Sequence, residues 1–587
     1  MANSGRAGHA QEPTVLSLTG TIVEGASPSP SDAYFSGFET RPTTTDPPAM
    51  PQYHEKPMPQ RRDNTLDPRN VPPVIPPNHS SRTLIVCFDG TGDQFDSDNS
   101  NIVQLVSLLK KDDSTKQLVY YQTGIGTYTS PKVVSPFMSS MTKTLDTMFA
   151  LNLNAHVMSG YEFLMQNYIT GDKICIFGFS RGAYTARSLA GMLHKVGLLP
   201  AGNFQQVPFA YQMYTRADNI GWEQSTEFKQ AFCVDVSIEF LGVWDTVDSV
   251  GIIPKRLPFT TSNTIVRTFR HAVSLDERRA KFKANLWNRP DEEELKLGTS
   301  RAATSPAISP TVSPLKRPTT DDEQPLMNNI GKKGKPSKKV IPRKEDEDDR
   351  VLSTLERIYS EKHEKTTDVD EVWFAVHVGG GSVSNKTRHS LARIPLRWMI
   401  RECFKTNTGI MFNSAALFDI GLDPSTLYPY VVPRPPPLPV ASHRIQSPPA
   451  NPIPIRPTAH LMKKKKSHPE IKALLGRART PFLGTEEEEL NDIMSPKYDQ
   501  LKIKKAWWAL EILPLTLRYQ RGDNQWVTHF GSNLARPRFI PKQKDGFKVH
   551  RSVKMRMEAE MADERKRQKR KKYSPKPIFR HDPHWVD

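Results

Sequence analysis

Ile174-Cys175-Ile176-Phe177-Gly178-Phe179-Ser180-Arg181-Gly182-Ala183-Tyr184 decides how the rest of the chain is read. Its apolar run makes Lys173–Phe179 an expected buried strand, and Gly182–Val196 continues with helical spacing. A strand that passes into a helix through G-x-S-x-G turns so sharply that the serine oxygen is lifted above the sheet. Glycines two before and two after the serine let strand and helix approach without a Cβ clash. The helix that follows aims its first amides at the same point. Ser180 is therefore the candidate nucleophile, and the Arg181 N–H a candidate donor to a developing oxyanion. The competing reading is a serine that only caps the helix.

Strands and helices alternate outward from this turn. Upstream, Thr83–Phe88 is a continuous apolar run like a buried parallel strand, followed by helical spacing at 102–109, a strand at 118–121 and a helix over 142–168. Downstream come strands at 238–243 and 371–377 and helices at 352–362 and 391–404. Such alternation predicts an α/β fold, a mostly parallel sheet with helices on both faces. Between these blocks the composition changes. Residues 1–80 are rich in Pro, Ser, Thr and Gly, and 293–350 form a polar, charged insertion. Residues 431–500 carry Pro, Lys and Glu runs, and 546–587 are strongly basic. Segments that cannot bury enough surface to offset chain entropy are expected to be disordered. The domain is then assembled from 81–292 and 351–430, with 501–545 packing on it.

The 587 residues hold 81 Lys and Arg against 63 Asp and Glu, a net charge of +18, with 37% hydrophobic residues and 50 prolines. No apolar stretch is long enough for a membrane span, and no signal-peptide apolar region stands at the N-terminus. Cys87, Cys175, Cys233 and Cys403 lack the C-x-x-C spacing of a metal or redox site. Two of them fall in strand candidates, as buried thiols of a reducing compartment do. These features predict a soluble intracellular protein, cytoplasmic or nuclear, with no metal and no organic cofactor.

Three further motifs sit at predicted strand ends. Phe88-Asp89-Gly90-Thr91-Gly92 is a glycine-rich turn where an open α/β sheet binds ligands, and an N–H of Gly90 or Thr91 would be the second oxyanion donor. The same turn serves equally as an Asx-turn closing the strand on Asp89. Phe240-Leu241-Gly242-Val243-Trp244-Asp245 ends in a carboxylate able to orient a histidine, with Asp248 as a near alternative. Val372-Trp373-Phe374-Ala375-Val376-His377 ends in a histidine followed by Gly379-Gly380-Gly381. Ser180, Asp245 and His377 then follow the chain order of α/β-hydrolases. His271 is the rival base, but a lone histidine on a helix is more often structural, and His377 is preferred.

Taken together, F-D-G-T, G-F-S-R-G-A-Y, G-x-W-D-T-V, H-A-x-S-L-D-E-R-R-x-x-F and W-F-A-x-H…G-G-G resemble one module. It is the catalytic domain of the class-one type VI secretion phospholipase effectors, long catalogued as a domain of unknown function and found also in many fungal proteins. The resemblance covers roughly 83–292 and 351–430. It implies an α/β-hydrolase fold and a triad at Ser180, Asp245 and His377 acting on lipid or small esters. One departure stands out. The family reads H-x-D-V-G-G-G where this chain reads His377-Val378-Gly379-Gly380-Gly381. A deletion beside a strand can re-aim its side chains. That shortening is what a non-catalytic or weakly active hydrolase-fold scaffold, binding partners through its basic segments, would show.

The run Arg565–Lys572 has seven basic residues in eight. It is read as a solvated or targeting tail, or a tether to an anionic membrane. No nucleic-acid-binding signature accompanies it, so no specific nucleic acid is expected. Trp507 and Trp508, near Leu510, Ile512 and Leu513, are assigned to core packing rather than to a membrane-facing patch.

Overall fold

Thr83–Phe88 (β1) is buried along its whole length, as a continuous apolar run requires. Its side chains alternate between two layers. Leu84, Val86 and Phe88 join one core, with Val157, Tyr161 and Leu189, while Ile85 and Cys87 join the other, with Ile102, Leu105 and Met399. The computed structural model describes residues 71–90, 99–124, 138–247, 256–287, 344–360, 366–375, 389–440, 443–446, 482–503, 505–520, 526–541, 543–561 and 572–587. All of them belong to the unit Thr65–Asp587.

Seven more strands complete the sheet: Gln117–Gln122 (β2), Lys173–Phe179 (β3), Ile238–Trp244 (β4), Val266–Ser274 (β5), Asp368–Phe374 (β6), Lys548–His550 (β7) and His584–Val586 (β8). They lie in the order β8-β7-β6-β5-β4-β3-β1-β2, and every neighbouring pair is parallel. One face carries Met138–Asn167 (α2), Arg181–Val196 (α3), Val207–Thr215 (α4) and Asn219–Phe232 (α5). The other carries Asn101–Leu108 (α1) and Arg393–Lys405 (α7), joined by Thr485–Ile493 (α8) and Arg551–Glu558 (α9). A remaining helix, Lys344–Ile358 (α6), puts Leu352 and Leu355 against Trp222 and Phe259. This is the α/β architecture with a parallel sheet and helices on both faces. Among the described residues no helix is long and apolar enough to cross a membrane. The Cys87 and Cys175 thiols are buried in β1 and β3.

The structure corrects several boundaries. Residues 546–587, expected as a disordered tail, contain β7, α9 and β8, with Val549, Val553 and Tyr573 in the core. Strands of three residues carry too little pattern to read; β7 forms on the parallel edge that β6 offers, and β8 on the edge of β7. Only 562–571, most of the basic run, falls outside the described residues. Within 431–500, expected as a linker, α8 is buried because Arg393, Arg397, Arg434 and Arg551 meet its carboxylates. Val74–Ile75, inside the expected disordered 1–80, pairs with Phe412–Asn413 and buries Ile75. α6 begins within the expected insertion 293–350.

Candidate active site

β3 ends one residue before Ser180 and α3 begins one residue after it. Ser180 holds φ 55° and ψ −118°, where a side chain is disfavoured by about 1–3 kcal/mol. Its side chain makes no capping bond to the helix, so the capping reading fails. The backbone is pinned instead. Ser180 N–H donates to the Trp244 carbonyl at 2.9 Å, and the Ser180 carbonyl accepts from Ala183 N–H at 3.1 Å. Both flanking glycines are required. A Cβ on Gly178 would stand 2.6 Å from Ala183 Cα, and one on Gly182 would collide with the Phe88 and Asp89 backbone. The end of β1 is therefore pressed against the first turn of α3, beside Ser180.

That contact brings the 88–90 turn to the elbow but uses its donor. Gly90 N–H donates to Asp89 Oδ1 at 2.8 Å, and Tyr121 O–H donates to Asp89 Oδ2 at 2.8 Å. Asp89 therefore engages the amide one residue on, and the Gly90 N–H is committed to it. Arg181 is the first residue of α3, and Thr91 lies outside the described residues.

Asp245 follows β4 directly, and Phe179 pairs with Trp244, so Ser180 and Asp245 leave adjacent strands at the same edge. Asp245 sits at φ 52° and is buried. Its Oδ1 accepts from Ser274 N–H at 2.9 Å and from Arg538 Nη1, and its Oδ2 accepts from Arg538 Nη2 at 3.1 Å. Arg538 also donates through Nε to the Phe282 carbonyl at 3.0 Å and through Nη1 to the Ser274 carbonyl at 3.1 Å. A carboxylate has about four lone-pair sites, and the described residues fill three of those on Asp245, leaving one on Oδ2 for a further donor such as a histidine N–H. Arg538 is the residue that sequence reading missed. It lies 293 residues beyond Asp245, and no motif or spacing links the two.

β6 ends at Phe374, paired with Ser274, so the segment leading to His377 leaves the same edge two strands beyond β4. His377 and Asp248 lie outside the described residues. His271 is on β5, an inner strand rather than a helix, and is fully buried. Its Nε2 accepts from Thr246 N–H at 3.1 Å, so the proton is on Nδ1, which donates to Glu371 Oε1 at 2.9 Å. Burial pushes its pKa down. With both ring nitrogens engaged inside the sheet, His271 is a strut holding the turn after Asp245, and it has no free lone pair for the Ser180 proton. Among the described residues no group of three or more His, Cys, Asp or Glu is placed to hold a metal ion.

Comparison with known proteins adds to this geometry. Residues 82–402, more than half of the chain, match the family described as T6SS, phospholipase effector Tle1-like, catalytic domain. An uncharacterized protein of Saccharomyces cerevisiae, YEL023C, is 30% identical over 551 residues, covering 80% of this chain and 78% of its own. A crystal structure of an uncharacterized protein from Pseudomonas aeruginosa is 16% identical with a TM-score of 0.27, covering 56% of this chain and 46% of that one. The Tle1 effector bound to the VgrG spike of the type 6 secretion system is 17% identical with a TM-score of 0.20, covering 37% of this chain and 49% of that one. The chain spans about half the length of each of these two structures.

Proposed function

The chain belongs to the Tle1-like phospholipase effector catalytic-domain family, and from that premise we propose that it is a serine hydrolase of lipid or phospholipid esters. The observation that carries the proposal is Ser180, held at φ 55° between β3 and α3 with its hydroxyl uncommitted to the helix. A strained, non-capping serine at a sheet's carboxyl edge serves nucleophilic attack better than it serves stability. In this reading Ser180 Oγ attacks the ester carbonyl. His377 accepts its proton and returns one to the leaving alcohol. Asp245 orients the imidazole through the remaining lone pair on Oδ2, and the Arg181 N–H stabilises the oxyanion. The run 565–571 would add electrostatic attraction to an anionic membrane, worth up to about 1 kcal/mol per basic residue near the surface.

A second reading, a non-catalytic or weakly active scaffold, is favoured by one observation: Arg538 already pairs with both oxygens of Asp245. A fluorophosphonate probe separates the two. The parent protein should be labelled on Ser180 and Ser180→Ala should not. Absence of labelling in a folded parent selects the scaffold, and labelling of the alanine variant removes Ser180 from the role.

A further inference from the structure

Within 501–545, expected to pack on the domain, residues 501–540 bury only part of their apolar surface. Trp507 lies against Phe282 and beneath Arg279. By contrast Trp508, Leu513 and Phe539 are exposed, and Ile512, Phe530 and Leu534 more so at 61%, 54% and 55%. These residues are neighbours. Ser532 Oγ donates to the Ile512 carbonyl at 2.6 Å, Leu534 N–H donates to the Glu511 carbonyl at 2.9 Å, and Phe530 pairs with Thr516 across the hairpin.

Their presentation is costly. Leu534 and Ala535 both have positive φ, 50° and 56°, so the turn that exposes Leu534 is strained as well as apolar. It is held by the buried Glu511 carboxylate, which accepts from Ala280 N–H at 2.7 Å, Asn533 Nδ2 at 2.5 Å and Ala535 N–H at 2.8 Å. Ala280 follows β5, and Arg538 of the same segment grips Asp245. The apolar patch is therefore built on the carboxyl edge of the sheet, the edge that carries Ser180.

We infer that this patch docks the protein on an anionic phospholipid surface, with the site facing the lipid. Charge decides the occupant. Exposed Lys502, Lys505 and Arg536 lie on the same segment, and Glu511, the one carboxylate among its described side chains from 500 to 540, is buried. Apolar side chains flanked by cations suit headgroups with acyl chains beneath them. The identity of the partner as lipid rests on the hydrolase reading, so binding is measured without catalysis.

The test uses the full chain carrying Ser180→Ala and vesicles of phosphatidylcholine with phosphatidylglycerol. Adding Ile512→Ser and Leu534→Ser, or separately Leu513→Ser and Phe530→Ser, should lower vesicle partition by about tenfold or more with no change in melting temperature. Lys505→Glu with Arg536→Glu should also weaken binding, by a margin that shrinks as salt rises. Unchanged partition in both apolar pairs overturns the inference. So does a concentration-dependent dimer of the parent that these substitutions abolish while partition stays the same, since the patch then covers a second copy. Partition that behaves as expected, with the parent bearing Ser180 left unlabelled by a fluorophosphonate, keeps the docking surface and removes the hydrolase reading.

Discussion

Ser180 and Asp245 both hold positive φ at the ends of neighbouring strands, 55° and 52°. Strain of this kind persists only where the surroundings over-determine it. At Ser180 the cost is separable from the chemistry. Ser180→Ala keeps the strain and removes Oγ, whereas Ser180→Gly removes both. The glycine variant should be more stable than the alanine variant by about 1 kcal/mol, after allowing for glycine's extra chain entropy. Equal melting temperatures would show that the serine is at ease there. At Asp245 the partner is the issue. Arg538→Gln leaves a buried carboxylate short of its counter-charge and should cost about 3–5 kcal/mol. In the hydrolase reading, loss of that cation should also make His377 easier to protonate, moving the acid limb of the kcat/KM profile to higher pH. Arg538→Lys restores the charge but not the fork, so it should recover the pH limb better than the rate. A lower rate with an unmoved limb would mean that Arg538 serves only the fold.

At the scale of elements, the legible strands were those whose burial is purely apolar. β1 and β3 match their expected spans residue for residue, and β4 runs one residue further. β5 went unseen because Arg270 and His271 interrupt it, and only the structure shows their partners. Arg270 donates to Glu402 at 2.8 Å and to Asp368 at 2.6 Å, while His271 meets Glu371. A buried polar residue satisfied by a distant one leaves no periodic trace. The same holds for Arg538, and for α8, whose run of glutamates reads as solvated until its arginines are placed. The site was legible where it depends on local backbone, at the Gly178–Gly182 elbow, and illegible where it depends on chain segments hundreds of residues apart. The C-terminal residues carry a prediction of their own. Tyr573 O–H donates to Asp276 Oδ2 at 2.6 Å, and β8 covers the outer edge of β7. Deleting 572–587 should therefore lower the melting temperature and weaken soluble-ester turnover together, with Tyr573→Phe reproducing about 1–3 kcal/mol of the loss. A truncated protein that melts like the parent would return this segment to the status of a solvated end.

Across the whole molecule, acid should act in two stages, because two classes of buried group titrate with the same sign at different pH. His271 and His550 are buried and neutral. Burial pushes the first below its usual 6.5 and the second down to about 3, with Arg434 and Arg551 adding to the fall at His550. A depressed histidine means that the unfolded chain takes up the proton first. The stabilisation is complete above pH 6.5 and declines as pH falls below it, by up to about 3 kcal/mol per pH unit for two such groups. The carboxylates come later. Burial opposes ionisation of Glu489 and Asp492, yet Arg434, Arg397 and Arg551 hold Glu489 well below its usual 4.5, and Arg397 and Arg393 hold Asp492 below 3.8. Their contribution is present above those ordinary values and lost as pH falls through and below them, which steepens the decline. Because these groups are buried, added salt should change the slopes little, unlike a surface-charge effect. Urea unfolding followed from pH 7.5 downward would show the first decline between about 6.5 and 4.5. In the double variant His271→Gln with His550→Asn that first decline should flatten, while the steeper loss below it remains. If the double variant keeps the parent's slope above pH 4.5, the histidines are not the groups taking up the protons.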